Sequence, residues 1–278
     1  MFSVPGLEGC IAKQLNRIIA VAVHDLETGH ELLIHANESF HPASTIKVHI
    51  MLEVFHQAQQ GQLALDDRVP ILNSFTSIAD GTTFSLQESD DAERTLYGRL
   101  GENESIGELT RLMIVRSSNL ATNILLKRIG TKNVDNFVRV LGIEGVGVIR
   151  GVEDKAAFHL GMNNRATAGG LTQTMRLLAA KKAVSEQASG AMIELLLAQE
   201  FNESIPALLP KAVKVAHKTG WIGSFFHDTG IVYPQNRGPY ALSIMTQGFP
   251  EDREEEAHGC MAVISKMIFD ALSPMTAS

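Results

Sequence analysis

The chain has 278 residues, with 24 Lys and Arg against 31 Asp and Glu, a formal net charge of -7, 45% apolar residues and two cysteines. This balance excludes disordered and collagen-like chains and leaves a globular protein long enough for a sizeable core. It also argues against a nucleic-acid partner, since phosphate backbones are held by clustered cations and the pair Lys181-Lys182 sits where a helix should end.

No apolar run approaches the roughly 20 residues that span a bilayer, the longest being Ile18 to Val23 and Leu195 to Ala198, so no membrane span is expected. Met1 to Gly6 lacks the basic stretch, apolar core and cleavage site of a secretory signal. The expectation is a cytoplasmic protein if Met1 is the native start, and a periplasmic or secreted one if a signal was trimmed. Cys10 and Cys260, near opposite ends and without CxxC spacing, read as reduced core residues.

In chain order, Ile18 to His24 is a β-branched apolar run, Glu27-Thr28-Gly29 supplies a turn and Glu31 to His35 returns, which predicts a hairpin. From Ser44 to Gln60 the apolar positions Ile46, Ile50, Met51, Val54, Phe55 and Ala58 recur at helical spacing between Pro42 and Gly61. Further helical patterns cover Ile106 to Arg116, Leu120 to Ile129, Val134 to Leu141, Leu171 to Lys182 and Ala188 to Gln199. After Pro210 short apolar runs predict strands at Val213 to His217, Gly230 to Tyr233 and Tyr240 to Thr246, separated by Lys218 to Phe225 and by Pro234 to Pro239. A last helix, Ala257 to Leu272, is approached through Glu251 to Glu256, which places carboxylates at the positive end of its macrodipole.

The pattern predicts an α/β (α+β) fold: an antiparallel sheet built from both chain ends with flanking terminal helices, around an inserted all-helical lobe. The expected division of this single catalytic domain, 1–278, is an α/β lobe of residues 1–40 and 205–278 and a helical lobe of 41–204.

Ser44-Thr45-Ile46-Lys47 sets a hydroxyl and an amine on one face of a first helical turn, where a nucleophile and its base can meet. Alone the pattern is common. Ser117-Ser118-Asn119 between two helices and Lys218-Thr219-Gly220 at the end of a predicted strand follow it, and three such elements in that order are not generic. With them the sequence resembles the penicillin-recognising serine hydrolases, most closely the class A β-lactamase family, whose signatures are Ser-x-x-Lys, Ser-x-Asn and Lys-Thr/Ser-Gly. The resemblance spans nearly the whole chain, including Phe40 to Lys47 around the serine and Gly107 to Leu126 around the helix pair.

The residue types explain the chemistry. Ser44 attacks only once a neighbour removes its proton, and Lys47 can do so only when neutral; bringing a lysine from about 10.4 to about 7 takes about 4 to 5 kcal/mol. Burial and a second cation supply that, and Lys218 across the cleft is the obvious second cation, otherwise an ordinary edge-strand lysine. The resemblance implies that Ser117 relays a proton to the leaving nitrogen, Asn119 holds a substrate amide and Thr219 bonds a substrate carboxylate. Each of these also fits a cap or turn position. It further implies an oxyanion hole of the Ser44 and Trp221 backbone N–H groups, with Gly220 permitting close approach of the strand.

The family's deacylating glutamate lies in Glu-x-x-Leu-Asn, and here Glu153 stands in its place with Ala156 and Ala157 where Leu-Asn is expected. Glu153 is read as that residue, or as a loop carboxylate paired with Arg150 or Lys155. Ser118 replaces an Asp that would brace the helix junction, and Met51 and Thr110 stand where part of the family carries a cysteine pair. Arg237 and Arg253 read as surface charges, His49 and His56 as packing or solvated residues, and His227-Asp228 as a structural pair heading a strand. The expected function is a serine β-lactamase-like hydrolase, a monomer acting on a small molecule without metal or cofactor. The alternatives are a D,D-peptidase or esterase with slow deacylation, and a penicillin-binding sensor.

Overall fold

The computed structural model describes residues 2–14 and 16–273. After a short helix α1 (Leu7–Ala12), strand β1 (Ile18–Asp25) turns back as β2 (Glu31–Ile34), the hairpin expected from the sequence. A 3-10 turn over Ala43–Ile46 leads into α2 (Lys47–Gln59). Strands β3 (Arg68–Pro70), β4 (Phe75–Thr76), β5 (Thr83–Phe84) and β6 (Asn103–Ser105) form two small ribbons, β3 with β6 and β4 with β5. Helices α3 (Ile106–Val115), α4 (Asn119–Ile129), α5 (Thr131–Val140), α6 (Lys155–His159), α7 (Ala168–Ala179) and α8 (Glu186–Leu197) follow. The chain closes with β7 (Lys214–Ile222), β8 (Phe225–Tyr233), β9 (Tyr240–Gln247) and α9 (Glu254–Leu272).

Strands from both ends share one antiparallel sheet in the order β2-β1-β9-β8-β7. Side chains alternate between its faces, and β1 uses that alternation by size. Ile19, Val21 and Val23 pack with Leu7, Met261, Ile264 and Ile268 of the terminal helices, whereas Ala20 and Ala22 face the helical lobe. The small alanines let α7 lie close enough for the Thr172 hydroxyl to donate to the Ala22 carbonyl at 3.0 Å. Both faces are covered, which is why the run reads as continuously apolar.

Ten of the thirteen residues of α2 are buried, making it the axis of the helical lobe. His49 meets the Thr174 hydroxyl at 2.9 Å and His56 stacks on Phe137 with centroids 3.9 Å apart, so both are packing residues. Among the described residues no helix is long and apolar enough to cross a membrane.

Several expectations need correction. Ser44 lies in the 3-10 turn, and α2 begins only at Lys47. Lys218 to Phe225 is not a connection: β7 continues to Ile222 and β8 starts at Phe225, with Lys218 paired to Thr229 and Thr219 to Asp228. The polar residues that look like a loop are buried strand residues, and His227-Asp228 lies inside β8 rather than at its head. Cys10 and Cys260 are free, yet both are half-buried rather than core residues.

Arg237 is not a surface charge. Its side chain is 12% exposed, pairs with the buried Asp25 and donates to the Leu272 carbonyl at 2.7 Å, tying the β8–β9 connection to β1 and to the end of α9. Burial opposes ionisation of Asp25, but Arg237, the Thr28 hydroxyl and the Glu27 N–H outweigh it and hold the carboxyl below the usual range. Arg237→Ala leaves that carboxylate buried without its cation, and denaturant unfolding at neutral pH should show a loss of about 3 kcal/mol. The difference from the parent should shrink as pH falls, beginning where the uncompensated Asp25 of the variant takes up its proton and ending at the lowered value of the parent, because protonation removes the charge that needs a partner.

Candidate active site

The turn carrying Ser44 is set by close packing. Ala43 adopts φ 47°, and the Thr45 hydroxyl donates to the Pro42 carbonyl at 2.6 Å. Strand β7 presses Gly220 against this turn so tightly that a Cβ there would lie 2.6 Å from the Ser44 nitrogen and 2.8 Å from that of Thr45. Only glycine fits. Ser44 is left half-buried at the junction of sheet and helical lobe, lining a cleft of about 400 Å³.

Behind it Lys47 and Lys218 are fully buried and converge on one hydroxyl. The Lys47 amine donates to the Ser117 carbonyl at 2.7 Å, to Asn119 Oδ1 at 2.8 Å and to Ser117 Oγ at 3.2 Å. Lys218 donates to the same Oγ at 3.1 Å and to the Thr219 carbonyl at 2.9 Å. Burial brings Lys47 down to about 7 against the opposing charges of Asp91 and Glu153. Burial, then the charge of Lys47, pushes Lys218 well below the usual lysine range, with Asp228 opposing. Two acceptor bonds fill the lone pairs of Ser117 Oγ, so its O–H is free to point elsewhere.

Ser117 holds φ 56° between α3 and α4, and the start of α4 is fastened from two sides. Ser118 caps it by accepting from the Ala121 N–H at 3.1 Å. The buried Asp91 carboxylate accepts from the N–H groups of Asn119 at 3.0 Å and Leu120 at 2.9 Å, and from the Tyr97 hydroxyl at 3.1 Å. Asp91 thus supplies, from a distant loop, the bracing carboxylate that Ser118 lacks.

Glu153 also has a positive φ, 58°, and lines the cleft. Its neighbours are fixed: Asn123 accepts from the Val152 N–H at 2.8 Å and donates to its carbonyl at 2.9 Å, while Asp154 accepts from Ser77, Ile78 and Ala157. Arg150 donates to the Met162 and Gly151 carbonyls and to Asn163 Oδ1, so its acceptors are not Glu153. Thr219 Oγ1 is buried without a partner, and Trp221 stands half-exposed at the rim, edge-on to Phe201 at 5.5 Å.

The structure therefore brings Ser44, Lys47, Ser117, Asn119, Glu153 and Lys218 to Trp221 around one cleft. Asp91 and Asn123 escaped the sequence reading. Asn123 had a signal, a polar residue one turn after Asn119 on a buried helix face; Asp91 had none, because only the fold brings its loop to α4.

An antiparallel sheet built from both ends of the chain against a helical lobe is the β-lactamase and transpeptidase-like fold. The model of the beta-lactamase enzyme family matches residues 8–272, and the chain belongs to that family. Beta-lactamase CTX-M-97 of Escherichia coli is 26% identical over 256 residues, covering 90% of this chain and 82% of its own length. The β-lactamase of Sphaerobacter thermophilus DSM 20745 has the same fold, with a TM-score of 0.84 at 20% identity over 99% of each chain. A mutant of PBP-A solved as an acyl-enzyme complex with penicillin G follows at TM-score 0.80 and 22% identity, covering 96% of this chain and 94% of its own.

Asp91→Ala leaves the first N–H groups of α4 without their anion, and chemical denaturation should show a loss of about 2 to 3 kcal/mol.

Proposed function

We propose that the chain is a serine hydrolase that opens the β-lactam amide through an acyl-enzyme on Ser44. The observation that carries this reading is the buried chain from Lys47 through Ser117 to Lys218 behind the half-exposed serine. With Lys47 near 7, a substantial fraction is neutral at physiological pH and accepts the Ser44 proton as Oγ attacks the carbonyl carbon. The carbonyl oxygen is received by the backbone N–H groups of Ser44 and Trp221, at the contact Gly220 permits. Ser117, its oxygen already holding two amines, turns its O–H to the departing nitrogen and is resupplied through the lysines.

Asn119 offers its amide N–H to the substrate, and the unpartnered Thr219 hydroxyl donates to a substrate carboxylate. Such a carboxylate beside Lys218 also restores the proton that burial discourages. Glu153 then activates water to release the acid.

A specific observation favours a second reading, a D,D-peptidase or esterase with slow deacylation, or a sensor that stays acylated. Ala157 is fully buried and offers the water no polar side chain, so Glu153 works without a second anchor. A positioned general base contributes about 10² to 10⁴, the margin between turnover and a stalled adduct.

Mixing the protein with a chromogenic cephalosporin while following product and intact mass separates these readings. Steady turnover that vanishes in Ser44→Ala supports the first; a lasting adduct without turnover selects the second; neither adduct nor turnover removes both. With turnover, Glu153→Gln should leave acylation intact and slow release by about 10² or more. The acylation rate should fall as pH drops through about 7, because protonated Lys47 has no lone pair for the Ser44 proton. A rate flat from pH 5 to 9 would take Lys47 out of the base's role.

A further inference from the structure

His41, Arg150, Phe158, Asn164 and Ile222 line the cleft together with Ser44. His41 is held at three points. Its Nδ1 accepts from the Ala43 N–H at 3.2 Å, its carbonyl accepts from His227 Nε2 at 2.8 Å, and its ring meets the edge of Phe158 at 6.0 Å. Burial, reinforced by the charge of Arg150, brings the ring down to about 4, so it is neutral at physiological pH. A neutral imidazole that accepts at Nδ1 must carry its proton on Nε2, which has no protein partner among the described residues.

Arg150 adds to the same imbalance. Its guanidinium is buried, and the three hydrogen bonds it makes, at 2.9, 2.8 and 2.7 Å, all go to neutral oxygens. A guanidinium has five N–H groups, so two are left over. Asn164 cannot absorb them, because its Oδ1 already accepts from the Ile149 and Arg150 N–H groups and its amide donates to the Arg150 carbonyl. Glu153 and Asp154 line the cleft too and their charges favour the Arg150 cation, but among the described residues neither accepts a hydrogen bond from it. The recess lined by these residues combines apolar surface, from Phe158 and Ile222, with unmatched donors.

We propose that this recess is a subsite for a substrate acyl side chain ending in a flat ring that bears a neutral hydrogen-bond acceptor, with His41 as the residue that selects it. The ring lies on Phe158 and Ile222, and its acceptor takes the Nε2 proton of His41. Through Nδ1 the same imidazole steadies the turn that carries Ser44, so recognition of the side chain and placement of the nucleophile share one ring. The inference rests on the acyl-transfer reading of Ser44.

The test uses two penicillins that differ by one atom, with phenylacetamido or 4-pyridylacetamido side chains, at a pH where the pyridine is neutral. The acylation kcat/KM of the wild-type protein should favour the pyridyl compound by about 10-fold, mostly through KM. His41→Asn keeps an acceptor for the Ala43 N–H but not the distant donor, and should bring the ratio to about 1. His41→Gln, with its amide nitrogen near the Nε2 position, should restore most of it. A purely structural role for His41 would lower both compounds alike and leave the ratio in place, which overturns the proposal. So does a wild-type ratio near 1, a result that needs no variant to fold. Intact mass keeps the two claims apart: an adduct on Ser44 with a ratio near 1 removes only the subsite, and no adduct with either compound removes the acyl-transfer reading itself.

Discussion

Two lysine amines buried against one serine hydroxyl set the terms for the rest of the structure. Neither can be fully charged there, because leaving water disfavours the ammonium form of both and the charge of Lys47 adds to the cost of a proton on Lys218. The fold makes this tolerable by supplying neutral acceptors, the Ser117 and Thr219 carbonyls and Asn119 Oδ1, rather than a contacting carboxylate. A carboxylate in contact would fix Lys47 as a cation. Asp91 and Glu153 act on it only from a distance, enough to moderate its fall without reversing it.

Strain is concentrated around the same point. Ala43, Ser117 and Glu153 all have left-handed backbones, in the turn that carries Ser44, the turn between α3 and α4 and the loop before α6. Non-glycine residues hold such conformations only where the surroundings over-determine them. Here the restraints are identifiable: Gly220 against the Ser44 turn, Asp91 and Ser118 on the first N–H groups of α4, and Asn123 clasping Val152 on both its N–H and its carbonyl. These residues convert packing energy into fixed positions for atoms that would otherwise relax apart.

Periodicity made the hairpin, the principal helices and the sheet formed by both termini legible, because those elements are built on apolar faces. It failed at β7, where Lys218, Thr219 and Gly220 are polar or small yet buried in mid-strand. A strand that carries polar groups into a cleft gives up the alternation by which strands are recognised. Arg237 was misread for the related reason that sequence shows a charge but not its partner: Asp25 lies more than two hundred positions away. The three short motifs announced the cleft through residue type and order. What positions them was harder to read, since both Asp91 and Asn123 act on backbone atoms: Asn123 showed only as a polar residue one turn after Asn119, and Asp91 left no pattern at all.

The strand order also governs when the cleft can come into being. β1 pairs with β9 in a register that sets Ile18 opposite Gln247, so the first strand of the sheet stays without its inner neighbour until the chain has been made through β9. The helical lobe, rich in local contacts, can organise early, while a sheet closed between the two ends is a late and slow event. Lys218 reaches Ser117 only with that closure. Until then the Ser44 turn lacks the strand that presses on it and Ser117 Oγ holds one amine rather than two: the cleft is the last part of the molecule to be completed.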